Sequence, residues 1–508
     1  MNPRRRLGFA LLAALPTVAV LGAARPANGP AEVRDLVAAL LGPTPMTEDL
    51  RRLTDEIGGR PTGSAANRAA VEWALRTLEA AGVPARRESF TMPAGWLERR
   101  AVATIRFDDV PLAGDTDGGG GEFPARIAAM PFSAPTPTDG FDAPLLDAGR
   151  GEDTAIAGLG QAARGALLLV GTDELLDVDG LFREYREATR IEARAVAAGA
   201  AGVVYVGSRP DNLLHRHVAS RGSDNESLLM VIERSRGLRA LRLLRAGHRL
   251  RMHVVLDIAT SGPYRSDNVI GEIRGATDPD EYVVIGAHLD SWGLGTGALD
   301  DGCNVAMIID IARQIRRLDL HPRRTIRFCL FNGEEQGMFG SWAYVRQHAD
   351  ELDRHVMASA YDIGSGRITG MYTNGRPELI PVVDRLLAPV SGLGPFIHVD
   401  EPIVGTDNFD FMLEGVANLV ASQESANYGP NYHAGSDTFD KVDLGQLRLN
   451  GAIAAAMTWG FASTDVTWNR QDRAAVETLV RETSLAEQMK MFPPVWEAWA
   501  RGARGRRP

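Results

Sequence analysis

From Ser266 onward the chain alternates short apolar runs with amphipathic segments, and this alternation restricts its fold more than any other feature. "NVIGEI", "EYVVIGAH", "RTIRFCLFN" and "HVMASAYD" read as strands, with "NVAMIIDIARQIRRL" and "MFGSWAYVRQHADEL" as helices between them. Apolar strands joined by helices predict an α/β fold, a mixed, mostly parallel sheet covered by helices on both faces. In such sheets functional residues gather at the carboxyl ends of strands. Those ends carry His288, Asp290, Glu334, Glu335 and Asp362.

The flanking regions have other textures. Residues 1–24 carry Arg4, Arg5 and Arg6, then an apolar core and small residues at Ala23 and Ala24. This is the pattern of a cleaved signal peptide, so the mature protein is expected to be secreted or periplasmic. The arginine run leaves a twin-arginine route open. Residues 30–106 read as helices followed by alternating strands, the amino-terminal part of the main domain. Residues 107–262 hold Gly-rich turns, short apolar strands and one clear helix, as in a small β-rich insert. The run "GDTDGGGGEF" lacks the Lys and the strand–loop–helix context of a phosphate cradle and reads as a surface loop. Residues 263–463 form the chemistry-bearing domain, and 464–508 a helical tail expected to fray at "RGARGRRP".

Bulk composition narrows the function. With 508 residues, the chain is long enough for two or three domains. A net charge of −10, from 55 basic and 65 acidic residues, does not suggest a nucleic-acid partner. No segment after the leader is apolar enough to predict a stable membrane span. The two cysteines, Cys303 and Cys329, read as buried free thiols.

The stretch "GAHLDSWGLGTGALDDGCN" packs a His, three Asp and five Gly into nineteen positions after the run "YVVI". Glycines free the backbone for tight turns, while imidazole and carboxylates are ligands for a hard-to-borderline metal. His288 and Asp290 fit a ligand and the carboxylate that orients it, or an ordinary strand-end pair. Asp300 and Asp301 fit a bridging site or a solvated turn. In "NGEEQG", Glu334 and Glu335 point in different directions from a strand exit, so one can bind metal while its neighbour reaches a water. That division of labour serves hydrolysis. Asp362 ends another strand, and His433 lies in the loop "NYGPNYHAGSD". Together these nitrogen and oxygen donors suffice for two metals sharing one carboxylate. With no sulfur ligand, zinc leads. A two-metal centre polarises a carbonyl and holds a bridging hydroxide.

The ordered set H-x-D, G-A-x-D-D-G, N-G-E-E-x-G, a strand-end Asp and a late Y-H resembles the co-catalytic dizinc aminopeptidase and carboxypeptidase superfamily. The likeness is strongest to its plasma glutamate carboxypeptidase (carboxypeptidase Q) branch, and runs to about residue 463. It implies the zinc aminopeptidase fold, with 107–262 as an inserted protease-associated domain. It implies two Zn ions per chain: Asp300 bridges them, His288 and Asp362 hold one, and Glu335 and His433 hold the other. It further implies Glu334 as general base, Asp290 as the residue orienting His288, and a cis peptide between Asp300 and Asp301. Thr406, Asp407 and Asn408 in "GTDNFDF" resemble the substrate-facing loop. Cys303 and Asn304 depart from the small residues often found there, and Cys303 is expected to pack behind the loop.

The function implied is an exported exopeptidase acting on dipeptides or short peptides with a free N-terminus. A carboxypeptidase releasing C-terminal residues is the alternative within the class. An inactive receptor-like binding protein is the alternative outside it, but that reading predicts lost ligands. A glutaminyl cyclase of the same fold fits the motifs less well. Relatives of this kind often dimerise, which leaves a homodimer open.

Overall fold

The structure, a computed structural model, describes residues 31–108, 120–176 and 178–507. The expected signal peptide and the first part of the glycine-rich run lie outside them. Two sheets organise the chain. In the seven-stranded sheet the spatial order is Ala85–Met92, Tyr264–Ile273, Arg324–Phe331, Asp278–His288, His355–Ala360, Asn418–Gln423, Ile368–Tyr372. The four strands from Arg324–Phe331 to Asn418–Gln423 run parallel, and the outer strands join antiparallel. The parallel part is thus confined to the centre, a direction that strand-by-strand reading of the chain does not reveal.

Both faces of this sheet are covered, because successive side chains of a strand point opposite ways. Val283, Ile285 and Ala287 enter a large core shared with helices Ala31–Leu41, Cys303–Arg317 and Leu444–Ser463. Val284 faces the other side and packs with Tyr344, Val345 and Phe411. Register brings the parallel strands to a common edge, with His288 opposite Phe331 and Gly286 opposite Ala360. The loops that follow these strands open on the same side, which is what gathers the site.

The second sheet has eight strands and its own core. It begins at Gly95, ahead of the boundary at 107 read from the sequence, because Gly95–Phe107 pairs along its length with Leu250–Ser261. Among the described residues no helix is long and apolar enough to cross a membrane.

The tail departs from expectation. Instead of fraying, helices Arg473–Glu482, Leu485–Lys490 and Pro493–Ala500 form a third core, in which Val476, Leu485, Met489 and Trp499 pack on Met338, Val404, Phe409 and Leu413. Arg504 is only 2% exposed. Its Nε and Nη2 donate to the two oxygens of buried Asp410 at 2.7 and 2.6 Å, and Nη1 donates to the Gly337 carbonyl at 3.1 Å. Removing one member of a buried ion pair leaves the other uncompensated and costs about 3–5 kcal/mol. Arg504→Ala should therefore lower the urea midpoint by an amount equivalent to roughly that energy. The double variant Arg504→Met with Asp410→Leu should recover much of the loss.

Candidate metal centre

The loop between strand Asp278–His288 and helix Cys303–Arg317 is held from two sides. Buried Arg60 donates to the carbonyls of Leu289 at 2.8 Å, Thr296 at 2.7 Å and Gly297 at 2.9 Å. The Asp437 carboxylate accepts the backbone N–H groups of Ala298 at 2.9 Å, Leu299 at 2.6 Å and Asp300 at 3.2 Å. Gly297 has φ 65°, and a Cβ there would lie 2.4 Å from Ser291 and 2.9 Å from the Arg60 guanidinium, so only glycine fits. The Asp300–Asp301 peptide is cis.

This scaffold presents Asp300 between two histidines. Its Oδ1 lies 3.0 Å from His288 Nε2, and its Oδ2 lies 3.2 Å from His433 Nε2. His288 Nε2 is also 3.2 Å from Asp362 Oδ1, and His433 Nε2 is 2.9 Å from Glu335 Oε2. Glu334 places a carboxylate oxygen within 4.8 Å of donor atoms of His288 and Asp362. Glu334 and Glu335 sit in the turn after strand Arg324–Phe331, ahead of helix Phe339–Gln347 rather than at its start.

The residues around these donors orient them. His288 Nδ1 bonds the backbone carbonyl of Asp290 at 3.0 Å, while the Asp290 carboxylate stands 3.7 Å away. That carboxylate instead accepts Thr62 Oγ1 at 2.7 Å and the Glu334 N–H at 3.4 Å. Asp290 thus orients the imidazole by its main chain and the Glu334 turn by its side chain. His433 adopts φ 55°, uncommon for a residue with a Cβ. It is fixed by the second sheet's module: its Nδ1 meets the Arg216 carbonyl at 2.7 Å, and the Arg216 N–H donates to its own carbonyl at 3.1 Å. Tyr432 stacks on the His433 ring and its hydroxyl lies 3.0 Å from that of Tyr185.

Electrostatics mark a site short of positive charge. Asp300, Asp301, Glu335 and Asp362 are all buried. Burial, followed by the nearby charges of Asp362, Asp407 and Glu335, raises the Glu334 carboxyl well above its usual range, with His288 opposing. Burial alone would depress His433, but Glu335 and Asp300 outweigh it and lift the imidazole to about 10. Asp300 Oδ2 makes no hydrogen bond of good geometry, with His433 Nε2 at 3.2 Å as its neighbour. Arg60, beside the loop, is spent on backbone carbonyls. Clustered carboxylates and imidazoles in this setting fit a divalent cation, and the all-nitrogen-and-oxygen donor set fits zinc.

The predicted residues do not all converge. His288, Asp300, Glu334, Glu335, Asp362 and His433 do, with Asp290 beneath them. Of the expected substrate loop only Thr406 lines the cavity above. Asp407 and Asn408 are buried, and Asn408 donates to Asn418 at 3.1 Å. Helix Asn408–Leu413 begins at this point and turns them inward. Cys303 and Cys329 are free and buried; Cys303 packs in the large core, behind the loop. Asn304 donates to Asp301 at 2.6 Å. Arg60, Thr62 and Asp437 escape sequence reasoning because each acts on backbone or on another acid. The nearest signal was the placement of Asp437 four residues after His433.

Residues 268–458 match the sequence model of Peptidase family M28. The chain is homologous to carboxypeptidase Q. It is 28% identical to the protein of Mus musculus over 227 residues, covering 44% of this chain and 47% of that one. It is 30% identical to that of Xenopus laevis over 203 residues, covering 39% and 42%. The chain therefore spans about half the length of the curated relatives it matches. Among solved structures, a peptidase M28 precursor from Shewanella amazonensis superposes with TM-score 0.75 at 25% identity, covering 86% of this chain and 97% of that one. A zinc aminopeptidase from Bacillus subtilis shares the fold at TM-score 0.63 and 20% identity, covering 84% and 96%.

Groups that hold metal ligands in place contribute typically 10–100-fold to metal affinity. Asp437→Ala, which frees three N–H groups beside Asp300, should weaken zinc binding by about that factor. Competition with a chromogenic chelator measures it, with circular dichroism to check the fold.

Proposed function

We propose that the protein is an exported, zinc-dependent exopeptidase of the aminopeptidase or dipeptidase type. The observation that carries the two-metal part is the division of Asp300, whose two oxygens address His288 and His433 separately. Asp300 would bridge, with His288 and Asp362 on one ion and Glu335 and His433 on the other. When bound, the zinc pair polarises the scissile carbonyl and activates water.

The chain's own residues do the rest. Glu334 faces the cavity beside the ligands, accepts a proton from the attacking water and passes it to the leaving amine. A cavity of about 540 Å³ lies over the centre, with Asp300, Glu334, Glu335 and Asp362 at one end. Among the described residues no Lys or Arg lines it. An acidic end attracts a peptide's ammonium group, and a lining without Lys or Arg offers no guanidinium or ammonium to pair with a terminal carboxylate. This favours recognition of a free N-terminus. Release of a C-terminal residue is the second reading, favoured by the likeness to carboxypeptidase Q. The basic-then-apolar leader supports export, and residues 95–261 fit a protease-associated module that helps build the site.

Glu334→Gln should keep fold and zinc content but lose about 10²–10⁴-fold in turnover; retained activity would remove it as the base. A dipeptide, its N-acetyl form, its C-terminal amide and a tripeptide, followed by mass spectrometry, separate the modes. Cleavage of all but the N-acetyl form is the expected result. Cleavage of the N-acetyl form would establish the carboxypeptidase reading.

A further inference from the structure

The cavity over the acidic centre has a side that the family-matched segment does not supply. Leu181, Phe182 and Tyr185 come from helix Val178–Ala197 of the second module, and Met491, Phe492 and Val495 from the tail. The two elements touch. Thr189 Oγ1 donates to the Met491 carbonyl at 3.0 Å, and the rings of Tyr185 and Phe492 lie 5.4 Å apart. The tail is fixed from behind, where Leu485, Met489 and Val495 pack on Met338 and Val404, and these last two residues also line the cavity. The end of the chain is tied to the Gly337 carbonyl by Arg504, three residues beyond Glu334.

The chemistry of this side differs from that of the metal end. Six of its side chains are aliphatic, thioether or aromatic, and its hydroxyls are already engaged: Tyr185 Oη lies 3.0 Å from Tyr432 Oη, Thr189 Oγ1 donates to the Met491 carbonyl, and Ser220 Oγ donates to Glu192 at 2.6 Å. A charged substrate side chain placed here would lose water without gaining a partner. An apolar one would gain by leaving water. We propose that Met491, Phe492 and Val495, with Leu181 and Phe182, form the specificity wall of the site. The wall selects peptides whose residue beside the scissile bond carries a large apolar or aromatic side chain. This rests on the exopeptidase reading above, and it makes the tail part of the substrate pocket.

The test compares wild type with Phe492→Ala, which opens the wall, and Val495→Trp, which fills it. Zinc-loaded proteins are assayed for kcat/KM on Xaa-Ala and Ala-Xaa dipeptides with Xaa as Gly, Leu, Phe, Lys or Glu. Wild type should favour Leu and Phe over Gly, Lys and Glu in one of the two series. In that series Phe492→Ala should cut the Leu-to-Gly and Phe-to-Gly ratios by about tenfold, and Val495→Trp should penalise Phe more than Leu. A uniform fall across all side chains, with zinc content and circular dichroism intact, would overturn the wall as a selector. So would a wild-type preference for Lys or Glu. If wild type cleaves no peptide, the exopeptidase reading fails, and calorimetry with phenylalaninamide and glycinamide still tests the wall. Tighter binding of phenylalaninamide, lost in Phe492→Ala, supports it; equal binding of the two ligands overturns it.

Discussion

The structure turns on a concentration of negative charge held away from water. Asp290, Asp300, Asp301, Glu335 and Asp362 are buried at the carboxyl edge of the parallel strands, and the buried Arg60 guanidinium beside them donates to backbone carbonyls rather than to the carboxylates. Such an assembly persists only where main-chain donors and bound cations offset its repulsion. Much of the surrounding architecture answers that requirement. Arg60 braces the loop by its carbonyls and Asp437 by its amides. The Asp290 side chain collects a hydroxyl and the Glu334 N–H.

The same constraint explains why three separate parts of the chain meet here. The parallel centre supplies His288, Glu334, Glu335 and Asp362 from one edge, but His433 arrives on a long loop with no strand to fix it. The second module compensates, holding that loop by two main-chain bonds at Arg216. Its helix then continues over the cavity to the tail. The module is in this sense a clamp on the centre as well as a neighbour of it.

Much of this was legible beforehand. The alternation from Ser266 onward announced the sheet, and the acids at strand exits announced the metal centre, because both signals are local and periodic. What stayed hidden was long-range. Helix Leu444–Ser463 is buried nearly all round, so it shows no amphipathic stripe. Gly95–Phe107 alternates like any strand, and only its partner, more than a hundred residues away, assigns it to the second sheet. The tail looked polar because its arginines dominate the pattern, yet Arg504 is buried against an acid 94 positions earlier. Asp407 and Asn408 belong to a motif of which Gly405 and Thr406 reach the cavity, since the turn of a helix decides which residues do.

The position of the tail has a consequence for biosynthesis. Once the chain has been made as far as His433, every donor of the centre exists, and zinc can in principle be gathered. The surface proposed to sort one peptide from another is not yet there, since Met491 to Val495 and the Arg504 guanidinium follow His433 in the sequence. On the proposed reading, a nascent or clipped chain that stops short of these residues would carry the metal donors in a cleft without its selecting wall. On the proposed reading, selectivity is acquired after the metal donors, and a cut ahead of Met491 would remove it while leaving those donors in place.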